Sequence, residues 1–129
     1  KTVALLGLSF KPNTNDLREA PALTIAERLL AEGCVLRVYD PAALEEGTKM
    51  LPGLLPCADA YDAAQGAEAL ILVTEWNQFR NLNFERVKAA LRRPVFIDLR
   101  NVYEPDRMAA LGFRYVSVGR PERGPREKD

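Results

Sequence analysis

Short apolar runs alternate with amphipathic segments along most of the chain. Runs of this length, bounded by glycine, proline or charged residues, are typical of strands buried on both faces of a parallel sheet. They predict strands at residues 2–6, 35–39, 69–73, 95–97 and 113–118, with a short additional strand near 54–57. The run at 113–118 alternates apolar and polar side chains, which indicates a strand at the edge of the sheet.

The segments between these runs have helical periodicity. The first begins at Pro21, where the missing N–H costs nothing in the opening turn of a helix, and its apolar residues recur three and four positions apart. Gly33 follows as a residue that can take the left-handed conformation at a helix end. Further helices are predicted at residues 42–50, 60–65, 83–92 and 105–111, with a simple connection at 79–82.

Strands that alternate with helices predict an α/β fold. We expect a doubly wound, mainly parallel, Rossmann-like sheet of five to six strands in a three-layer domain over residues 1–119. The expected strand order is 3-2-1-4-5-6, which places a topological switch point between strands one and four, and ligands of such sheets bind there. Residues 120–129 are charged and contain proline and glycine, so we expect a disordered tail.

Composition excludes several classes of function. The 129 residues carry 18 basic and 18 acidic side chains, so no general positive field favours nucleic acid or an anionic membrane surface. No segment approaches the roughly 20 apolar residues of a membrane-spanning helix. Histidine is absent, which excludes a Ser-His-Asp triad. Cys34 and Cys57 are expected to be free thiols in the cytoplasm rather than a disulfide or a metal site.

The segment at residues 6–21 lies where a dinucleotide-binding fold has its G-x-G-x-x-G turn. It contains one glycine, Gly7, followed by an aromatic residue, a lysine and an arginine. A complete NAD-binding domain is therefore excluded, because a pyrophosphate needs the bare backbone that the second and third glycines provide. We expect side chains, rather than backbone, to bind the ligand here.

The same edge of the predicted sheet carries further polar residues after strands four and five. Lys11 and Arg100 are placed to converge on one anion, the first as a point charge and the second as a planar fork. The plainer alternative is that each is solvated or ion-paired. Phe10 or Trp76 either stacks on a base or packs in the core. The remaining polar residues of this edge are Thr74, Glu75, Asp98 and Asn101.

Asp40 lies directly before Pro41, after strand two. An acid at this place binds a ribose hydroxyl in nicotinamide-cofactor folds. Since the glycine pattern is missing, a turn-forming Asp-Pro is the preferred interpretation.

The run GLSFKPNTNDLREAP at residues 7–21 resembles the G-x-x-F-K-x-x-T-x-D-x-R-x-[SA]-P signature of the UDP-glucose/GDP-mannose dehydrogenase family. In that family the signature opens the carboxy-terminal, UDP-binding domain. The order of landmarks continues with VYDP at 38–41, TEW at 74–76 and FIDLRN at 96–101, so the resemblance covers residues 1–120. It is strongest for the branch that acts on UDP-glucose.

The resemblance implies an enzyme that oxidises UDP-glucose to UDP-glucuronate in two NAD-dependent steps, through a thiohemiacetal on a cysteine. Phe10 and Lys11 are then expected to contact the nucleotide-sugar, with Lys11 on the diphosphate or sugar side. Arg100 is expected to reach the substrate. Arg18 is expected to reach NAD, which is bound mainly by an amino-terminal domain.

The family's NAD-binding glycine motif and catalytic cysteine loop have no counterpart in these residues. We therefore expect a piece of a longer protein, with no catalytic residue of its own and no activity alone. Its partners would be a UDP-sugar and the amino-terminal and central domains, and the fragment itself would be monomeric.

One departure from the family concerns Leu99, where the family commonly has glycine in D-G-R. Leucine does not take a positive φ freely, so the direction of Arg100 is left open. A stand-alone, receiver-like α/β regulatory or interaction module is the alternative from another functional class. It would need acids grouped to hold Mg²⁺, and Asp16, Asp40 and Asp98 are predicted too far apart.

Overall fold

Six parallel strands form a single sheet in the order β3-β2-β1-β4-β5-β6. The computed structural model describes residues 1–9, 17, 20–118 and 124. The observed order confirms the predicted Rossmann-like topology and its switch point between β1 and β4. The strands are β1 (Thr2–Leu6), β2 (Val35–Tyr39), β3 (Leu55–Pro56), β4 (Ala69–Leu72), β5 (Val95–Asp98) and β6 (Arg114–Ser117).

Helices cover both faces of the sheet, as the three-layer prediction requires. Their bounds are α1 (Pro21–Ala31), α2 (Leu44–Met50), α3 (Ala60–Ala64), α4 (Asn77–Arg80), α5 (Phe84–Ala90) and α6 (Pro105–Ala110). The core on one face contains residues of α1 and α2, whereas the core on the other contains residues of α3, α4, α5 and α6. This division follows from the chain crossing to the opposite face after β3, which is what double winding means.

Alternation along the strands divides the apolar side chains between the two cores. Leu5 and Ile71 belong to the core under α1, and Leu6 and Leu72 belong to the opposite one. The second core is built around packed aromatic rings, such as Phe96 and Phe113, whose centroids lie 5.7 Å apart in an edge-to-face arrangement. Such pairs add roughly 0.5–1.5 kcal/mol each beyond the area they bury. Both faces of the sheet are therefore closed by this chain's own residues.

The predicted elements agree with the structure within a few residues, with two informative differences. The second helix begins at Leu44 rather than at residue 42. The N–H groups of Ala42 and Ala43 donate instead to the Asp40 carboxylate. The predicted connection at 79–82 was wrong at its start, since residues 77–80 form the short helix α4. Four residues are too few to show a helical period.

Further expectations concerned the end of α1, the two cysteines, membrane-spanning helices and the carboxy-terminal tail. Gly33 has φ +87° and ends α1 as predicted. Cys34 and Cys57 are free. No helix among residues 1–9, 20–118 is long and apolar enough to cross a membrane. The tail predicted at 120–129 lies outside the described residues apart from Gly124.

Candidate functional site

Gly7 turns the chain out of β1 at the switch point, with φ +91°. Its N–H donates to the Tyr39 carbonyl at 2.8 Å. A Cβ at this position would lie 2.6 Å from the Thr74 Cβ and 2.8 Å from the Thr74 backbone nitrogen. The glycine is therefore required by the close approach of the chain after β4, whether or not a ligand is bound.

The Asp40 carboxylate stabilises this turn by accepting hydrogen bonds from backbone N–H groups. Its buried carboxylate accepts hydrogen bonds from the N–H groups of Leu8 at 2.7 Å and, more weakly, Ser9 at 3.4 Å. Its other oxygen accepts from Ala42 at 2.8 Å and Ala43 at 2.7 Å. The preferred interpretation of Asp40 as a turn-forming residue is confirmed. Its oxygens are engaged by the protein backbone, so it is not available to a ribose.

These bonds explain why the turn differs from a phosphate-binding loop. The backbone N–H groups that would approach a pyrophosphate are already bonded inside the protein. The Thr74 hydroxyl adds a further tie by donating to the Ser9 carbonyl. The described part of the turn thus does not fit an NAD pyrophosphate.

Asp98 organises the neighbouring turn after β5. Its carboxylate is fully buried and accepts from the N–H groups of Arg100 at 2.8 Å, Val102 at 2.7 Å and Tyr103 at 3.2 Å. The Tyr115 hydroxyl also donates to it. Its oxygens are occupied in the same way as those of Asp40. We conclude that Asp98 is a structural anchor for the turn that carries Arg100.

The leucine that departs from the family pattern does not strain this turn. Among the described residues, Asn101 is the non-glycine residue with positive φ, at 56°. Asparagine tolerates that conformation better than most side chains. Leu99 instead continues the sheet pairing, because its N–H donates to the Leu72 carbonyl at 3.0 Å. Leu99 therefore does not need the positive φ that a glycine would allow.

Arg100 forms an ion pair with Glu75, which follows the carboxyl end of β4, the strand adjacent to β5. Its Nε lies 2.9 Å from Oε2 of Glu75, and its Nη2 lies 3.2 Å from Oε1. The arginine side chain is 34% exposed and the glutamate 22%. Both residues were predicted at this edge of the sheet, but no role was predicted for Glu75. The signal available in the sequence was that Glu75 follows strand four, which was predicted to lie beside the strand that precedes Arg100.

The other predicted ligand residues, Phe10, Lys11 and Arg18, lie outside the described residues. Their positions are bracketed by Ser9, which is fully buried at the switch point, and by Ala20, which is buried before α1. Predictions for these three residues remain predictions.

Trp76 packs against the aromatic core, which agrees with the plainer of its two interpretations. Tyr39, at the end of β2, donates its hydroxyl to Oε1 of Gln78 at 3.2 Å. Burial, with the nearby Asp40 and Asp59, raises the pKa of Tyr39 above its ordinary value. Burial and then Asp98 raise the pKa of Tyr103. Both phenols therefore stay neutral at physiological pH and act as hydrogen-bonding groups.

The structure provides no support for a regulatory module that binds Mg²⁺. No group of three His, Cys, Asp or Glu side chains suited to a metal ion occurs within the described ranges. Asp40 and Asp98 are each engaged in their own turn, and Asp16 lies outside these ranges.

Comparison with known proteins agrees with the geometry. Residues 4–105 match the UDP-glucose/GDP-mannose dehydrogenase family, UDP binding domain. The chain is 46% identical over 120 residues to a UDP-glucose 6-dehydrogenase of Rhizobium meliloti (strain 1021), covering 93% of this chain and 28% of the relative. It is 47% identical over 130 residues to a UDP-glucose 6-dehydrogenase of Pseudomonas aeruginosa, covering 96% and 29%.

The fold is similar to that of an NDP-N-acetyl-D-galactosaminuronic acid dehydrogenase from Methanosarcina mazei Go1. The TM-score is 0.79 at 27% identity, covering 96% of this chain and 25% of that one. This chain thus spans little more than a quarter of the length of its curated relatives. The matched residues include most of β1, the switch-point turns and the Arg100 turn, and the chain belongs to the UDP-glucose/GDP-mannose dehydrogenase family as its UDP-binding domain.

Proposed function

We propose that this domain binds the nucleotide part of a UDP-sugar for an NAD-dependent UDP-glucose 6-dehydrogenase that forms UDP-glucuronate. The observation that carries the proposal is the position of Arg100, a partly exposed guanidinium on a braced turn beside the switch point. Parallel α/β sheets bind ligands at this edge. A guanidinium is suited to a diphosphate because it donates paired N–H bonds to phosphate oxygens.

The domain's contribution to such a reaction is binding energy. The nucleotide lies remote from the sugar carbon that is oxidised, and binding energy gained there helps to hold the reacting end in place. We assign Phe10 and Lys11 to the nucleotide-sugar together with Arg100, and Arg18 to NAD. The described residues form no NAD site of their own, since Asp40 occupies the backbone N–H groups of the first turn.

Neither cysteine fits the family's nucleophile. Cys57 is buried, and burial raises its pKa, whereas a reactive thiol needs a lowered pKa. Cys34 directly precedes β2, so it lies at the amino edge of the parallel sheet, opposite the switch-point turns. We propose that the catalytic cysteine and the main NAD site lie in other domains of a longer protein.

The binding role predicts a measurable affinity for UDP. Titration calorimetry with the 129-residue chain is expected to show UDP binding that Lys11→Ala or Arg100→Ala weakens about tenfold or more. This follows because a charged hydrogen bond contributes roughly 1.5–3 kcal/mol. Arg92→Ala is the matched control, since it removes the same charge from an exposed residue at the amino end of β5.

Equal affinities for the Lys11→Ala, Arg100→Ala and Arg92→Ala variants would contradict the assigned roles. Absence of UDP binding by a chain that is shown to be folded would contradict the proposed function itself.

The division of labour predicts that the chain alone does not turn over substrate. With UDP-glucose and NAD present, no NADH is expected to form above the background rate, because no described thiol is placed to attack the sugar. Absorbance at the NADH band measures this directly. Turnover that scales with the concentration of this chain would overturn the prediction.

A further inference from the structure

We propose that Glu75 is a positioning residue, which holds one edge of the Arg100 guanidinium so that its remaining N–H groups face the ligand. The inference deepens the proposed function and rests on it, since Arg100 must contact the diphosphate. It concerns a carboxylate whose side chain is not itself expected to touch the UDP-sugar.

The geometry of the pair supports this role. Glu75 bonds to Nε at 2.9 Å and to Nη2 at 3.2 Å, which is the side-on edge of the guanidinium. Five N–H groups lie in the plane of an arginine fork. Two of them are used by Glu75, and no described residue accepts from Nη1. The end-on edge therefore remains able to bind a phosphate with two parallel hydrogen bonds.

The other acid near Arg100 does not compete for its side chain. Asp98 is fully buried and accepts the backbone N–H of Arg100, together with the N–H groups of Val102 and Tyr103. Asp98 thus places the backbone of the turn, and Glu75 sets the direction of the side chain. The two acids act on the same residue from β5 and from the segment after β4.

Glu75 has two opposite effects on the binding of a diphosphate. Its negative charge repels a diphosphate, but it occupies the Nε–Nη2 edge and leaves the adjacent Nη1–Nη2 edge open, and solvent screens partly exposed charges. Its bonds also restrain a long side chain before the ligand arrives, which reduces the ordering cost of binding. Because the bonds to Nε and Nη2 are direct contacts, whereas the repulsion acts over a longer distance and is screened more strongly, we infer that orientation dominates and that Glu75 strengthens binding.

The test is a double-mutant cycle with Glu75→Gln and Arg100→Ala, using calorimetry with UDP and with uridine. Glutamine keeps the shape of the side chain but cannot accept at both positions. Glu75→Gln is expected to weaken UDP binding about fivefold to tenfold, with uridine affinity unchanged because uridine lacks the phosphates. In the Arg100→Ala background the same substitution is expected to cause no loss of affinity. Thermal unfolding of each variant verifies that it is folded.

Glu45→Gln is the matched control, because Glu45 is an exposed acid on α2 that pairs with Lys49. UDP binding by Glu75→Gln that equals or exceeds the wild type, with Arg100→Ala still weakened, would overturn the role of Glu75 alone. Equal losses from Glu75→Gln with and without Arg100 would also overturn it. No effect of Arg100→Ala would overturn the role of Glu75 together with the assigned role of Arg100, and no binding by the folded wild type would overturn the proposed function as well.

Discussion

Gly7→Ala is expected to lower the free energy of unfolding by about 3–5 kcal/mol and to lower the melting temperature by about 10–20 °C. Two costs add together. A left-handed backbone costs an alanine roughly 1–2 kcal/mol, and the new Cβ would lie 2.6 Å from the Thr74 Cβ and 2.8 Å from its backbone nitrogen. A rotamer change cannot relieve the contact with the backbone. Denaturant unfolding measures the loss.

Gly33→Ala separates the two costs. Gly33 has a similar φ of +87°, but a Cβ there would have no atom within 4 Å. It is expected to lose only the conformational part, about 1–2 kcal/mol. If both substitutions cost the same, the close approach of the first turn to Thr74 is not a constraint on this fold.

Asp98→Ala is expected to destabilise the domain by about 3–4 kcal/mol, because unsatisfied buried donors each cost roughly 1–3 kcal/mol. The substitution leaves the N–H groups of Arg100, Val102 and Tyr103 and the Tyr115 hydroxyl without their acceptor. Since these donors hold the turn, UDP affinity is expected to fall as well. Chemical denaturation gives the stability, and calorimetry under folding conditions gives the affinity.

Two further variants test whether the loss of stability depends on the number of hydrogen bonds removed. Asp98→Asn keeps one acceptor oxygen, so its loss is expected to be smaller, about 1–3 kcal/mol. Asp59→Ala removes an exposed carboxylate that accepts one N–H at the start of α3, and it is expected to cost about 1 kcal/mol, the usual value for a helix cap. An Asp98→Ala loss no larger than that of Asp59→Ala would contradict the anchoring role.

Gly7 and Asp98 show how the site is supported from within the protein. In a dinucleotide-binding turn, glycines and free N–H groups face a pyrophosphate. Here the glycine accommodates Thr74, and Asp40 bonds to the N–H groups. Buried carboxylates thus brace the turns after β1 and β5. This arrangement is consistent with the proposal that side chains such as Arg100 bind a nucleotide-sugar.

The sequence by itself determined the architecture. Apolar runs, helical periods and the glycine at the end of α1 specified the elements, because these signals depend on residues close together in the chain. The alternation of strands and helices then restricted the sheet to few topologies, and the observed order is the predicted one. The family also followed from local motifs, and residues 4–105 match it.

Only the tertiary structure decided which polar residues are occupied within the protein and which pair with a candidate ligand residue. Asp40 bonds to Leu8 across 32 positions of sequence, and Glu75 reaches Arg100 across 25. No local pattern distinguishes such a carboxylate from a solvated one, because its partners are brought together by strand pairing. The same reason applies to Gly7. A side chain at this position would collide with Thr74, which follows the neighbouring strand β4 and is distant in the sequence.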